Sequence, residues 1–62
     1  MFCNINGSVQ IIKFSGTVKE LLQKLQISDQ IVIVKRNGEI VTELDLVKDT
    51  DQMEIQQVIF GG

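Results

Sequence analysis

The sequence predicts an α+β fold in which one helix packs on a mixed sheet of about five strands. Three observations point there. Residues 15–27, SGTVKELLQKLQI, carry their apolar side chains at helical spacing. The rest of the chain breaks into short runs of β-branched or alternating residues. Two Asn-Gly dipeptides, Asn6-Gly7 and Asn37-Gly38, sit between pairs of such runs, and Asn-Gly is the strongest short-range hairpin signal. At 62 residues the chain is read as one domain, 1–62. A domain of that size buries only about 60% of its unfolded surface.

The opening MFCNI alternates, with Met1, Cys3 and Ile5 on one side, the period of a half-buried strand. Asn6-Gly7 turns the chain, and VQIIKF is the return strand. Its adjacent Ile11 and Ile12 leave the facing open and allow a bulge. In the helix, Val18, Leu21, Leu22 and Leu25 fall at i, i+3, i+4 and i+7 and form one stripe. Thr17 with Glu20 three positions on is a capping box, and Glu20 with Lys24 is an i,i+4 pair in the favourable order. The run Ile31 to Val34 suits a strand covered on both faces or nearly so. Asn37-Gly38 turns it into a short return strand, EIV. TELDLVKDTD is polar and irregular, with room for one helical turn carrying Leu44, Leu46 and Val47 inward. MEIQQVIF closes the order as a further strand with Met53 and Ile55 on one side, and parity places Phe2 and Val58 on the exposed side of the sheet.

Composition excludes several function classes. The chain is 44% hydrophobic and 23% charged, ordinary for a globular protein. Six basic against eight acidic residues give a net charge of −2, which argues against the clustered basic surface of a nucleic-acid binder. The longest aliphatic run, Ile31 to Val34, is far short of a membrane span. The opening residues lack a basic start and a long apolar stretch, so a cytoplasmic setting is expected. The single cysteine, Cys3, can form no internal disulfide and reads as core.

Catalytic chemistry has little to work with. Histidine and tyrosine are absent from the sequence, and Cys3 and the serines have no evident activating base. Asp45, Asp49 and Asp51 lie close together but lack the glycine and terminal glutamate of a calcium loop. They read as a solvated turn, and no metal site is expected. By these signals the chain is not an enzyme.

What remains is the ending, VIFGG. A free α-carboxylate is ionised at neutral pH and is a poor electrophile. Joined to AMP it becomes an acyl adenylate, open to sulfur or amine nucleophiles. A partner doing this must admit the tail into a narrow channel, where Cβ atoms would obstruct both threading and attack. Gly61 and Gly62 have none. The domain behind them would act as a handle and the chain as a group carrier.

Diglycine behind this order of elements resembles the β-grasp sulfur carrier proteins, a ubiquitin-like group, and most of all the ThiS type of thiamine biosynthesis. MoaD of molybdopterin synthesis and the ubiquitin-related modifiers are relatives of that type. The likeness spans essentially the whole chain. NINGS at residues 4–8 is similar to the family's first turn, and GTVKELLQKL at 16–25 to its helix start. VKRNGEIV at 34–41 resembles its Asn-Gly-x-x-Val stretch. DQMEIQQVIFGG at 51–62 resembles its closing Asp-x-Val-Glu-Ile-x-x-x-Val-x-Gly-Gly. Thr42-Glu43 replace a usual Pro-Arg, Thr50 a usual glycine, and Gln56 a position where an aliphatic residue is common.

The resemblance implies a β-grasp fold and a carrier cycle. An E1-like adenylyltransferase of the ThiF/MoeB type would use Mg-ATP to activate the Gly62 carboxylate, with Gly61 granting access. The carrier itself would bind no cofactor. A persulfide or sulfide donor would replace AMP to leave a thiocarboxylate, and an acceptor such as thiazole synthase would take the sulfur. Phe60, Ile59 and Val58 would dock the tail, and Phe2 with Val58 would offer an apolar patch to partners. A freely offered tail suits a monomer meeting partners transiently. Two other readings stand beside this one: a modifier joined to lysines through the same activation, and a plain binding module whose terminus is never activated.

Overall fold

The structure, a computed structural model, describes residues 1–27 and 31–58. Strands β1 (Phe2–Ile5) and β2 (Ser8–Ile11) form a hairpin, followed by the two-residue β3 (Gly16–Thr17) and helix α1 (Val18–Lys24). Strands β4 (Val32–Arg36) and β5 (Glu39–Val41) form a second hairpin, and β6 (Leu46–Val47) and β7 (Gln52–Gln57) complete the order. Five of these strands make one sheet in the order β2-β1-β7-β4-β5. β7 lies in the middle, parallel to β1 and antiparallel to β4, and among the described residues it is the strand that joins the two hairpins.

Both hairpins close on two-residue turns. Asn6 and Gly7 have φ of 51° and 90°, and Asn37 and Gly38 of 51° and 87°. Positive φ at both central positions is the type I′ turn, whose twist matches that of the flanking strands. Pairing of β1 with β2 runs unbroken from Ile5↔Ser8 to Phe2↔Ile11, so the bulge allowed by the sequence does not form. Ile11 faces outward, and Ile12 packs against the core.

The helix starts and stops where local chemistry dictates. Thr17 Oγ1 accepts from Glu20 N, and the Glu20 carboxylate accepts from Thr17 N, the reciprocal pair of the capping box. The first-turn N–H groups of Val18 and Lys19 donate to the carbonyls of Asp45 and Glu43, which ties the 43–45 loop to the start of the helix. At the far end Ile27 N donates to Leu22 O and Gln26 N to Gln23 O, with Gln26 at φ 58°. This is a Schellman stop with glutamine where glycine is usual.

Val18, Leu21 and Leu22 pack against Cys3, Val34, Met53 and Ile55 from one face of the sheet, with Met1 and Val47 completing the core. Burial pushes the Cys3 thiol up against the lowering pull of the N-terminal ammonium, so Cys3 stays protonated and behaves as a small apolar residue.

Two segments differ from the sequence expectation. Residues 42–51 hold the strand β6 paired with β3, and only Val47 points inward; Leu44 and Leu46 are 77% and 69% exposed. A two-residue strand sends neighbouring side chains to opposite faces, and the turn before it is closed by Asp45, which accepts from Thr42 N. The run from Ile31 to Val34 is covered on one face only. Val34 is buried, while Ile31 and Ile33 remain 46% and 43% exposed on the side away from the helix.

Candidate functional site

Because side chains opposite one another in a ladder share a face, the register defines the outer surface of the sheet. One row crosses all five strands: Val9, Asn4, Glu54, Lys35 and Ile40. The centre of this face is polar, with Glu54 opposite Lys35, and its apolar residues stand toward the margins. Phe2 lies at one end, beside Ile11 and opposite Gln52, the first residue of β7. Val58 follows the other end of that strand, and its N–H donates to Ile31 O at 3.1 Å. Six residues of strand at roughly 3.3 Å each separate them by roughly 20 Å. The structure therefore does not bring Phe2 and Val58 into one patch. Along β4, Val58 is flanked on this face by Ile31 and Ile33, part of the run expected to be covered on both faces or nearly so. Ile59, Phe60, Gly61 and Gly62 lie outside the described residues.

The exit of β7 is held from both flanks. On the β1 side Asn6 N donates to Ile55 O at 2.9 Å. Asn6 Oδ1 accepts from Gln57 N at 2.8 Å, and Asn6 Nδ2 donates to Gln57 Oε1 at 3.0 Å. On the β4 side the Val58 N–H reaches Ile31. The Asn6 turn is itself braced by Asn4, whose Oδ1 accepts from Gly7 N at 2.9 Å. Around it runs a groove of about 310 Å³ lined by Asn4, Asn6, Gly7, Gln56 and Gln57 among others. Sequence reading found Asn6 as a turn residue and missed its hold on Gln57, because the partners are 51 positions apart.

The opposite end of β7 is also tied down, more deeply. Asn37 N donates to Gln52 O, and Asn37 Oδ1 accepts from Gln52 N at 2.9 Å. Asn37 Nδ2 donates to Asp51 Oδ1, and Lys48 N to Asp51 Oδ2 at 2.9 Å. Asp51 is only 6% exposed, against the expectation of a solvated turn. Burial opposes its charge, but the hydrogen bonds from Lys48 and Asn37 and the nearby Arg36 and Lys48 charges outweigh it. Its carboxyl is held below the usual carboxylate range. Asp49 accepts from Phe14 N and Asp45 from Thr42, so all three aspartates serve the backbone. Among the described residues no cluster of three or more acidic, histidine or cysteine side chains could hold a metal ion. A larger cleft of about 640 Å³, between Gly16, Arg36, Leu46 and Lys48, lies at this end of β7, the end opposite Val58.

A mixed five-stranded sheet of two hairpins joined by a central last strand, with one helix across one face, is the β-grasp or ubiquitin-like fold. The crystal structure of a thiamine biosynthesis protein (ThiS) from Geobacter metallireducens is similar over 100% of both chains, at 30% identity and a TM-score of 0.66. A solution structure of a thiamine biosynthesis protein from the same organism is similar at 32% identity and a TM-score of 0.53, covering 100% of this chain and 86% of that one. The model of the ThiS family matches residues 3–62. The sulfur carrier protein ThiS of Bacillus subtilis is 39% identical over 94% of this chain and 96% of its own length. The chain belongs to the ThiS family.

Proposed function

We propose that this chain is a sulfur carrier of thiamine biosynthesis, a carrier rather than an enzyme, and that the reacting group is the carboxylate of Gly62. In the first step that carboxylate attacks the α-phosphorus of Mg-ATP on a ThiF/MoeB-type adenylyltransferase, and pyrophosphate leaves. In the second, sulfide or the outer sulfur of a persulfide attacks the acyl carbon and AMP leaves. A persulfide-derived adduct is then cut at its sulfur–sulfur bond by a thiol to free the thiocarboxylate. An acceptor such as thiazole synthase takes the sulfur as the acyl C–S bond breaks, and an oxygen from water or from the acceptor's substrate bonds the acyl carbon in its place to regenerate the carboxylate. The carrier needs no cofactor of its own, and the cytoplasm is the compartment proposed.

One observation carries this reading: the family match runs through residue 62 and so includes the diglycine. The geometry fits it. β7 is fixed on both flanks up to Val58, so a partner meets the tail at a constant place on a rigid handle, and docking pays less ordering entropy. Ile31 and Ile33 beside Val58 give that partner an apolar foothold, to which Ile59 and Phe60 add. The test is the intact mass of the chain after incubation with the adenylyltransferase, Mg-ATP and a sulfur donor. Gain of an oxygen-to-sulfur exchange at Gly62 is expected. No gain with any donor, or a mature chain that continues past Gly62 without processing, refutes it.

A further inference from the structure

Asn6 does more than turn the first hairpin. In a parallel ladder, a residue that donates its N–H to one strand position accepts at its own carbonyl from the residue two further on. Asn6 donates to Ile55 O, so Gln57 N would next be received by the Asn6 carbonyl. Asn6 instead sits in the left-handed turn, at φ 51°, and the Gln57 N–H goes to its side chain. The side-chain Oδ1 takes the carbonyl's place at 2.8 Å, and Nδ2 adds a bond to Gln57 Oε1. A short amide side chain standing in for a backbone group is physically ordinary. Its location is the informative part, since it adds one more ladder bond to the strand just before the tail departs.

We propose that Asn6 is a positioning residue for the carrier tail, fixing Gln57 so that the segment beyond it enters the adenylating partner already aimed. This rests on the function proposed above. Without the side chain, Gln57 keeps only the β4 flank, opposite Val32, so the end of the strand frays more readily. Re-ordering it when the partner binds weakens binding about tenfold.

The test compares the unaltered chain with Asn6→Gly and Asn6→Asp. Glycine keeps the left-handed turn and removes the acceptor. Aspartate keeps Oδ1, and the Gln57 amide can rotate to offer its NH2 group. Two readouts are used: hydrogen exchange at the Gln57 amide, and ATP–pyrophosphate exchange catalysed by a ThiF/MoeB-type adenylyltransferase. For Asn6→Gly the amide is expected to exchange about tenfold faster. KM is expected to rise about tenfold, with kcat held within about twofold. Asn6→Asp is expected to return both to within about twofold of the unaltered chain. A Gln57 amide that exchanges in the unaltered chain as fast as a free one overturns the clamp, however the variants fold. An unchanged KM in folded Asn6→Gly overturns the positioning role and leaves the sulfur-carrier reading standing. No adenylation of the unaltered chain defeats that reading and the positioning role together, while the amide exchange still reports on the clamp.

Discussion

At the start of β7 an asparagine from an Asn-Gly turn receives the Gln52 N–H on its side chain; at the end of the same strand another such asparagine receives the Gln57 N–H. The device is shared, but its surroundings differ. Asn37 also holds the buried Asp51 carboxylate, whereas Asn6 holds an exposed glutamine. A buried charge that loses a hydrogen bond is expensive, and an exposed amide that loses one is rescued by water. The comparison separates two uses of one motif: the start of the strand secures the fold, and its end sets a direction at little energetic consequence.

The most drastic way to break the contrast is to remove the layer on which both ends rest. Leu22→Asp puts an unpaired charge among Val18, Leu21 and Ile55. The expected cost, about 3–5 kcal/mol, is most of the stability of so small a domain. Thermal melting followed by circular dichroism should show no cooperative transition, and a near-normal melt would mean that the helix face is misassigned.

Deleting Gly61 and Gly62 removes the proposed reacting end. Adenylation is expected to vanish while the melting temperature stays within about 4 °C, since neither residue has a side chain to pack and a change of about 0.5 kcal/mol moves so small a domain by about 2–4 °C. If activity persists in a pathway assay, the chain is working as a binding module instead.

The same substitution at the two turns sharpens the comparison directly. Asn37→Gly should cost about 1–3 kcal/mol by depriving buried Asp51 of a partner, and Asn6→Gly at most about 0.5 kcal/mol. Urea midpoints measure both, and equal losses would show that depth of burial is not what distinguishes the ends.

The smallest effect is in acid. The Asp51 carboxyl is held below its ordinary 3.8 in the folded chain. Its contribution to stability is therefore complete above that ordinary value and is lost as pH falls through the depressed one. Melting temperatures taken between about pH 6 and pH 2 should fall on the acid side, and Asp51→Asn should flatten part of the slope. Glu20 and Asp45, depressed by their bonds to Thr17 and Thr42, act in the same direction.

How much of this could be read from the sequence follows the range of the interactions. The capping box, the apolar stripe of α1, both I′ turns and the inward pair Met53 and Ile55 depend on residues a few positions apart, and all were legible. Whether Ile33 is covered depends on which strands and helix lie over it, and that is set by the order β2-β1-β7-β4-β5. Asp51 is buried and takes a hydrogen bond from Asn37, 14 positions away. β6 is a strand only because β3 lies beside it. For the candidate site, the diglycine and its chemistry were visible in the residues themselves. The hold of Asn6 on Gln57 had a partial signal, an asparagine in the turn preceding a strand end, but nothing local names its partner.

The order of strands also has a consequence for synthesis. Among the described residues the two hairpins are joined in one sheet through β7, the latest of the described strands to leave the ribosome. Until it arrives, each hairpin is an isolated ribbon, and two-stranded ribbons are marginal in water. Folding therefore waits for the keystone, and a chain interrupted before residue 52 has no finished sheet.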